Sequence, residues 1–251
     1  MAEYCVKINA SDVAACIGLN PYNSADNAIY KIFLRDSPSR VMKIKKQISI
    51  KYNMVKLPLS KEERTQREYE QLKKQHPDII NGAICSTNAV NTSLGSIIDR
   101  YIARDRGIFH ENTVLKSVGN YTRKKYFSKK MNTGSRTYIL CGFTDGYRIS
   151  DDGVPEIVEI KKRARKLFGE LLPYEEIQLR VYLYLTDAPS GKLIEEFDGI
   201  TKEYSIDMND HSWIEIENGL KKFVDWYYTV RADNLLFFEL VESVMSCCII
   251  E

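Results

Sequence analysis

Tyr138-Ile139-Leu140-Cys141-Gly142-Phe143-Thr144-Asp145-Gly146 and, beyond an Asp151-Asp152-Gly153 turn, Glu156-Ile157-Val158-Glu159-Ile160-Lys161-Lys162 decide how this chain folds. The first run is rich in aromatic and branched residues, which suit strands, and Asp-Gly pairs signal turns. The second run alternates, so Ile157, Glu159 and Lys161 share one face while Val158, Ile160 and Lys162 share the other. A hairpin is therefore predicted from Tyr138 to Lys162, with two acids and one lysine close together. A hard divalent cation such as Mg²⁺ prefers carboxylate and carbonyl oxygens, and two acids on adjacent strands can converge on it. The plainer reading makes Asp145 a turn residue and leaves Glu159 and Lys161 solvated on an edge strand, since short patterns recur by chance.

The next segment raises the chemical reading. Glu170 to Leu185 has helical spacing of apolar residues, with Gln178 and Tyr182 four apart on one face. The order Asp-Gly, Glu-x-Lys on a strand, then Gln-x-x-x-Tyr on a helix resembles the PD-(D/E)xK nuclease superfamily, in particular its lambda-exonuclease or YqaJ-type branch, known from viral and phage recombination. The resemblance implies Asp145, Glu159 and the Ile160 carbonyl as Mg²⁺ ligands, with Mn²⁺ able to substitute. It further implies Lys161 assisting the attacking water, Gln178 positioning that lysine or water, and Tyr182 supporting the same face.

Asn9-Ala10-Ser11-Asp12-Val13-Ala14-Ala15-Cys16-Ile17-Gly18-Leu19-Asn20-Pro21-Tyr22 resembles the opening signature of the same branch. Locally, Ser11 reads as an N-cap, Gly18 as the residue ending that helix, and Ser24 as a second N-cap ahead of Ala25 to Phe33. Ser11 is either a cap alone or, as the resemblance implies, the holder of a DNA phosphate at a helix start.

A chain of 251 residues with 44% hydrophobic and 28% charged residues has the composition of a globular protein. Its net charge of +2 is uninformative, but the basic residues cluster. The six cysteines show no C-x-x-C pair, which predicts reduced thiols, an intracellular setting (cytoplasm, nucleus or viral factory) and no iron–sulfur cluster. The absence of a long apolar run argues against a membrane span.

Elsewhere, Ser37 to Ser60 interleaves lysines with apolar residues as an amphipathic segment or a DNA-facing wall, and Lys61 to Gln75 reads as a charged helix. Asn91 to Arg106 is predicted helical, capped by Thr92 or Ser93, and Gly95-x-x-x-Asp99 resembles the place where the family carries a glycine and a further acidic metal ligand, usually glutamate. Asp99 is therefore a ligand, a water-mediated contact, or a partner of a nearby arginine. Strands are predicted for Thr113 to Val118 and Tyr121 to Met131, giving an antiparallel meander into the hairpin. Arg123, Lys124, Lys125, Lys129, Lys130 and Arg136 form one basic run; Lys162, Arg163, Arg165 and Lys166 form a second, read as DNA-binding because it follows Lys161 directly. Lys192 to Ile206 predicts a hairpin turning at Asp198-Gly199, and Asp210 to Arg231 a helix with a buried stripe from Trp213 to Tyr227. Leu235 to Ile250 is a packed helix or a subunit contact.

The expected architecture is α/β, a restriction-endonuclease-like core with a small central mixed sheet flanked by helices. It is expected as one domain over 1–251, its N-terminal helical part (1–80) packing on a 90–230 core. The expected activity is a Mg²⁺-dependent exonuclease on linear duplex DNA, with 5′ to 3′ polarity implied by the resemblance. A homo-oligomer and a single-strand-annealing partner stay open. The alternatives are an endonuclease of the same superfamily and a non-catalytic DNA-binding subunit.

Overall fold

The computed structural model describes residues 4–54, 56–85, 96–163 and 165–249. Its strands are β1 (Val6–Asn9), β2 (Thr122–Asn132), β3 (Thr137–Ile149), β4 (Pro155–Lys162), β5 (Ser190–Phe197) and β6 (Ile200–Asp207). They form a six-stranded mixed sheet in the order β1-β3-β4-β5-β6, with β2 also on β3. The helices are α1 (Val13–Cys16), α2 (Ala25–Asp36), α3 (Pro38–Lys51), α4 (Lys61–Gln75), α5 (Pro77–Cys85), α6 (Ser96–Val118), α7 (Pro173–Thr186), α8 (Asp210–Ala232) and α9 (Asn234–Ile249). The fold is thus mixed α/β, a central mixed sheet flanked by helices.

Strand β3 organises the sheet. Antiparallel β2 covers one of its edges from Thr137 to Tyr147. The other edge is divided: parallel β1 pairs with Tyr138 to Cys141, and antiparallel β4 pairs with Gly146 to Ile149. Gly142 to Asp145 therefore have no ladder partner on that edge. Strand β4 continues past Val158 alongside β5 only, so Glu159 and Ile160 also face this gap.

One sheet face packs against α7, where Tyr138, Leu140, Ile157 and Leu193 join Leu179 and Leu183 in the main core. The other face receives the end of α6, with Val114 and Leu115 against Val158, Ile160 and Ile194. The strand Cβ direction alternates, yet a Cβ on Gly142 would meet Tyr182 of α7 at 2.7 Å and one on Gly146 would meet Leu115 of α6 at 2.6 Å. Positions 142 and 146 have the same parity, so β3 exchanges its faces between them. Opposite this point the β2 ladder skips Lys124, whose φ of 51° is left-handed.

Several expectations hold. Helix α4 has the predicted limits and a full capping box between Ser60 and Glu63. The amphipathic segment is α3, which buries Val41, Ile44 and Ile48 together with Lys45, whose ammonium bonds Glu63 at 2.7 Å. Ser24 caps α2 by accepting from the Asn27 N–H, and Gly18 ends α1 at φ 76°. Asp198 and Gly199, both at positive φ, turn the β5–β6 hairpin. Trp213, Ile216, Leu220, Phe223, Val224 and Tyr227 are buried as one stripe. Helix α9 is packed, with Phe237, Leu240, Val241 and Met245 buried in the main core.

Others need correction. Thr113 to Val118 is helical, the end of α6, and not a strand. Val114, Leu115 and Val118 have the helical i, i+1, i+4 spacing that lets all three meet the sheet, and this outweighs the β preference of the valines. The meander is therefore β2-β3-β4 alone. Asp145-Gly146 lies within β3, not in a turn, and β4 is an interior strand. Ser11 sits inside a 3-10 turn (Ala10–Asp12) with no capping bond; Asp12 occupies the position before α1. Strand β1 is an addition to the expected set, although Val6-Lys7-Ile8-Asn9 alternates and is buried at Val6 and Ile8 only. Thr92, Ser93 and Gly95 lie outside the described residues. Cys5, Cys16, Cys85 and Cys141 are free thiols, and no described helix is long and apolar enough to cross a membrane.

Candidate active site

The gap on β3 is where the two acids meet. Because β4 has left β3 at this level, the Ile160 N–H has no strand partner there and instead donates to Asp145 Oδ2 at 2.9 Å. One residue earlier, Glu159 is buried, 4% exposed, on the α7 side of β4. Lys161 Nζ donates to Glu159 Oε1 at 2.7 Å and to Gln178 Oε1 at 3.0 Å, while Gln178 Nε2 donates to Glu159 Oε1 at 2.7 Å. A single amide thereby fixes both ends of the Glu-x-Lys pair. One turn along α7, the Tyr182 hydroxyl donates to the Phe143 carbonyl at 2.8 Å, and Gln178 Nε2 approaches that hydroxyl at 3.4 Å. Tyr182 can come this close to β3 because Gly142 has no side chain.

Burial and mutual repulsion set the electrostatics. Desolvation, then the charge of Asp145, push the Glu159 carboxyl up to about 8 against the opposing pull of Lys161. Burial likewise raises Asp145, opposed by the Ile160 N–H and Lys161. Burial works against the Lys161 ammonium, but Glu159 and Asp145 outweigh it and hold the lysine above its ordinary value. Burial first, and Glu159 second, push Tyr182 up. Glu159 Oε2 is buried with no hydrogen-bond partner.

A third acid approaches from the opposite face. Burial and then Asp145 raise the Glu111 carboxyl on α6, and Arg123 of β2 restrains it with an ion pair at 3.2 Å. Sequence reasoning misses Glu111 because it expects a strand to start near it. The signal is present: Gly107-x-x-x-Glu111 has the glycine-to-acid spacing assigned to Gly95 and Asp99, and carries the glutamate usual in that family. Asp99 lies twelve residues earlier on α6. That is about 18 Å along the axis at the helical rise, on the part of the helix where Ile98 and Ile102 pack with Tyr69 and Ile80. Asp99 is thus well removed from Glu111 along the helix.

Among the described residues no three acidic, histidine or cysteine side chains already form a metal cage. The donors nevertheless fit a hard divalent ion, since the orphaned Glu159 Oε2 and the repulsion between buried Glu159 and its neighbour Asp145 both call for positive charge.

The second basic run divides. Lys162 is paired with Glu196, and Arg163 holds Glu175 at 2.7 Å and Glu195 at 2.8 Å, all largely buried. These ion pairs fasten β4 to β5 and to the start of α7, so neither side chain is offered to a DNA backbone. Arg165 and Lys166 are exposed. In the first run, Arg123 is taken by Glu111 and Lys129 by Asp187 and the Tyr184 carbonyl, while Lys124, Lys125 and Lys130 are exposed. Ser11 is exposed beside Ala10, whose Cβ lies against Gly142.

No family model and no curated protein matches the sequence. Among solved structures, SSO0001 aligns with a TM-score of 0.47 at 16% identity over 92% of this chain and 79% of that one. An alkaline exonuclease from Laribacter hongkongensis, LHK-Exo, gives 0.45 at 13% identity over 89% and 88%. A phage-related exonuclease from Haemophilus somnus 129PT gives 0.39 at 12% identity over 91% and 96%. These scores are low, and the functional reading rests on the geometry of this chain.

Proposed function

We propose that this chain is a metal-dependent deoxyribonuclease that degrades linear duplex DNA from its ends. The observation that carries the reading is the constellation at the β3 gap: the half-buried Asp145 and the buried Glu159, with Lys161 locked beside them by Gln178. Its order along the chain is that of the lambda-exonuclease-like motif.

In this reading Asp145, Glu159 and the Ile160 carbonyl hold Mg²⁺, or Mn²⁺ in its place, with Glu111 contributing from α6. When bound, the ion supplies positive charge against a phosphodiester and lowers the pKa of coordinated water. The protein groups do the rest. Lys161, kept cationic by its two acids, orients the attacking water and offsets charge gathering on the phosphorus oxygens. Gln178 fixes the lysine rotamer, and Tyr182 ties α7 to β3 so that the amide keeps its position. Exposed Arg165 and Lys166 attract the DNA backbone, and Ser11, on the turn beside Gly142, contacts a terminal phosphate. The 5′ to 3′ direction belongs to the motif resemblance.

Incubation with Mg²⁺ and matched linear and covalently closed circular duplexes tests this reading. Linear DNA carrying 5′-phosphates should be consumed, its 5′-hydroxyl counterpart more slowly, and circles should persist. Equal attack on circles would replace the exonuclease with an endonuclease, and no metal-dependent cleavage of either would remove the enzymatic reading.

A further inference from the structure

The proposed site adjoins a sheet surface that the catalytic constellation does not use. Between its two ends β3 turns one face away from α7, and the registers of β1 and β2 assemble that face into three rows, open at Lys7, Lys130, Tyr126 and Phe143 and closed in the middle, where Cys141 is buried. Lys7 and Lys130 flank Ile139; Asn9 and Ser128 flank Cys141; Tyr126 stands beside Phe143. No acidic residue occurs in these rows. The buried cluster that α6 forms on the sheet contains Val158, Ile160 and Ile194. Tyr126 is 47% and Phe143 58% exposed, and their rings touch at 5.0 Å between centroids, tilted by 52°.

Two adjacent exposed aromatics, with lysines about 13 Å away along the strands, match the chemistry of a single nucleic-acid strand, whose unpaired bases stack on rings while its phosphates meet ammonium groups. A duplex interior does not offer base faces. The surface is also continuous with the reaction site: the Phe143 carbonyl accepts the Tyr182 hydroxyl, and Asp145 is two residues further along β3.

We infer that the Tyr126–Phe143 pair is a base-stacking platform that receives an unpaired DNA strand at the edge of the site, with Lys7 and Lys130 holding its phosphates. This rests on the nuclease reading for its biological purpose, but not for its test.

The full chain, kept in EDTA so that no turnover occurs, is titrated by fluorescence anisotropy with a labelled oligothymidylate and with an abasic strand of equal length. The parent should bind the base-bearing strand at least about tenfold more tightly, the scale of one well-stacked base. Tyr126→Leu/Phe143→Leu keeps apolar bulk and should bring the two strands within about twofold by weakening the oligothymidylate alone. Lys7→Gln/Lys130→Gln should weaken both strands and flatten the logarithmic salt slope by about 1.4, two phosphate contacts at the single-strand value. A parent that treats the strands alike, or a leucine variant that keeps the parent's preference, overturns the platform. Base-selective binding that depends on the two rings, together with no cleavage in Mg²⁺, would leave the platform standing and remove the nuclease. Cleavage without base selectivity would do the reverse.

Discussion

The carboxylate of Asp145 accepts the backbone N–H of Ile160 at 2.9 Å, in the place where a strand partner would otherwise be. The acid therefore has a structural role beside the chemical one proposed for it. Asp145→Asn keeps an acceptor oxygen and should hold stability within about 1 kcal/mol, while Asp145→Ala strands a buried donor and should cost about 1–3 kcal/mol. Both should lower metal-dependent cleavage by roughly a hundredfold or more, the scale of losing a preorganised charge at a reaction centre. Paired thermal melts and rate measurements separate the two effects.

Glu159 gives a pH signature. Its folded carboxyl, at about 8, lies above the ordinary value of 4.5. Across that window the folded chain keeps a proton that the unfolded chain releases, so its stability falls as pH rises from about 5 to 8. Glu159→Gln removes this loss. In metal-free buffer it should match the parent near pH 5 and exceed it at pH 8 by at least ~1.4 kcal/mol, the free energy of a tenfold change in acidity. Denaturant melts at the two pH values check this, and a variant less stable than the parent at pH 8 would contradict it.

Glu111 and Asp99 offer a contrast on one helix. Glu111 feels the charge of Asp145, whereas Asp99 lies about 18 Å along α6. Glu111→Gln should raise the Mg²⁺ concentration for half-maximal cleavage by about tenfold or more, and Asp99→Asn should change it by less than about threefold. A metal titration of both variants decides between the two acids.

Gly142 sets the separation of β3 and α7. A Cβ there would lie 2.7 Å from Tyr182 Cε1 and 3.0 Å from Ala10 Cβ. Gly142→Ala should cost about 1–3 kcal/mol through overpacking. By displacing the Tyr182 anchor of α7 it should also slow cleavage by about tenfold, whereas Tyr182→Phe, losing only the bond to the Phe143 carbonyl, should slow it less.

The sequence is most legible where periodicity and chemistry coincide. Alternation in β4 places Glu159 and Lys161 on the α7 face with Ile157, and the four-residue spacing brings Gln178 and Tyr182 onto that pair. The plainer reading, with Glu159 and Lys161 solvated on an edge strand, is wrong, because exposure depends on α7 folding back over β4, which no local pattern encodes. The end of α6 reads as a strand because Val114 and Val118 have β preference, while their helical spacing gains only against a distant sheet. That misreading hides Glu111. The basic run after Lys161 suggests DNA, but Glu196, Glu175 and Glu195, which neutralise Lys162 and Arg163, come from segments remote in the sequence. The pairing of β1 with β3 and the change of face in β3 arise from tertiary packing.

The most direct measurement of the central claim is the initial rate of nucleotide release from 5′-phosphorylated linear duplex in Mg²⁺, compared among the parent, Glu159→Gln and Lys161→Ala, each shown to be folded. The parent should release nucleotides, lose this activity in EDTA and regain it with Mg²⁺ or Mn²⁺, while each variant falls by at least about a hundredfold. Release that survives EDTA, or either variant within about tenfold of the parent, would contradict the assignment of the β3 gap as the active site.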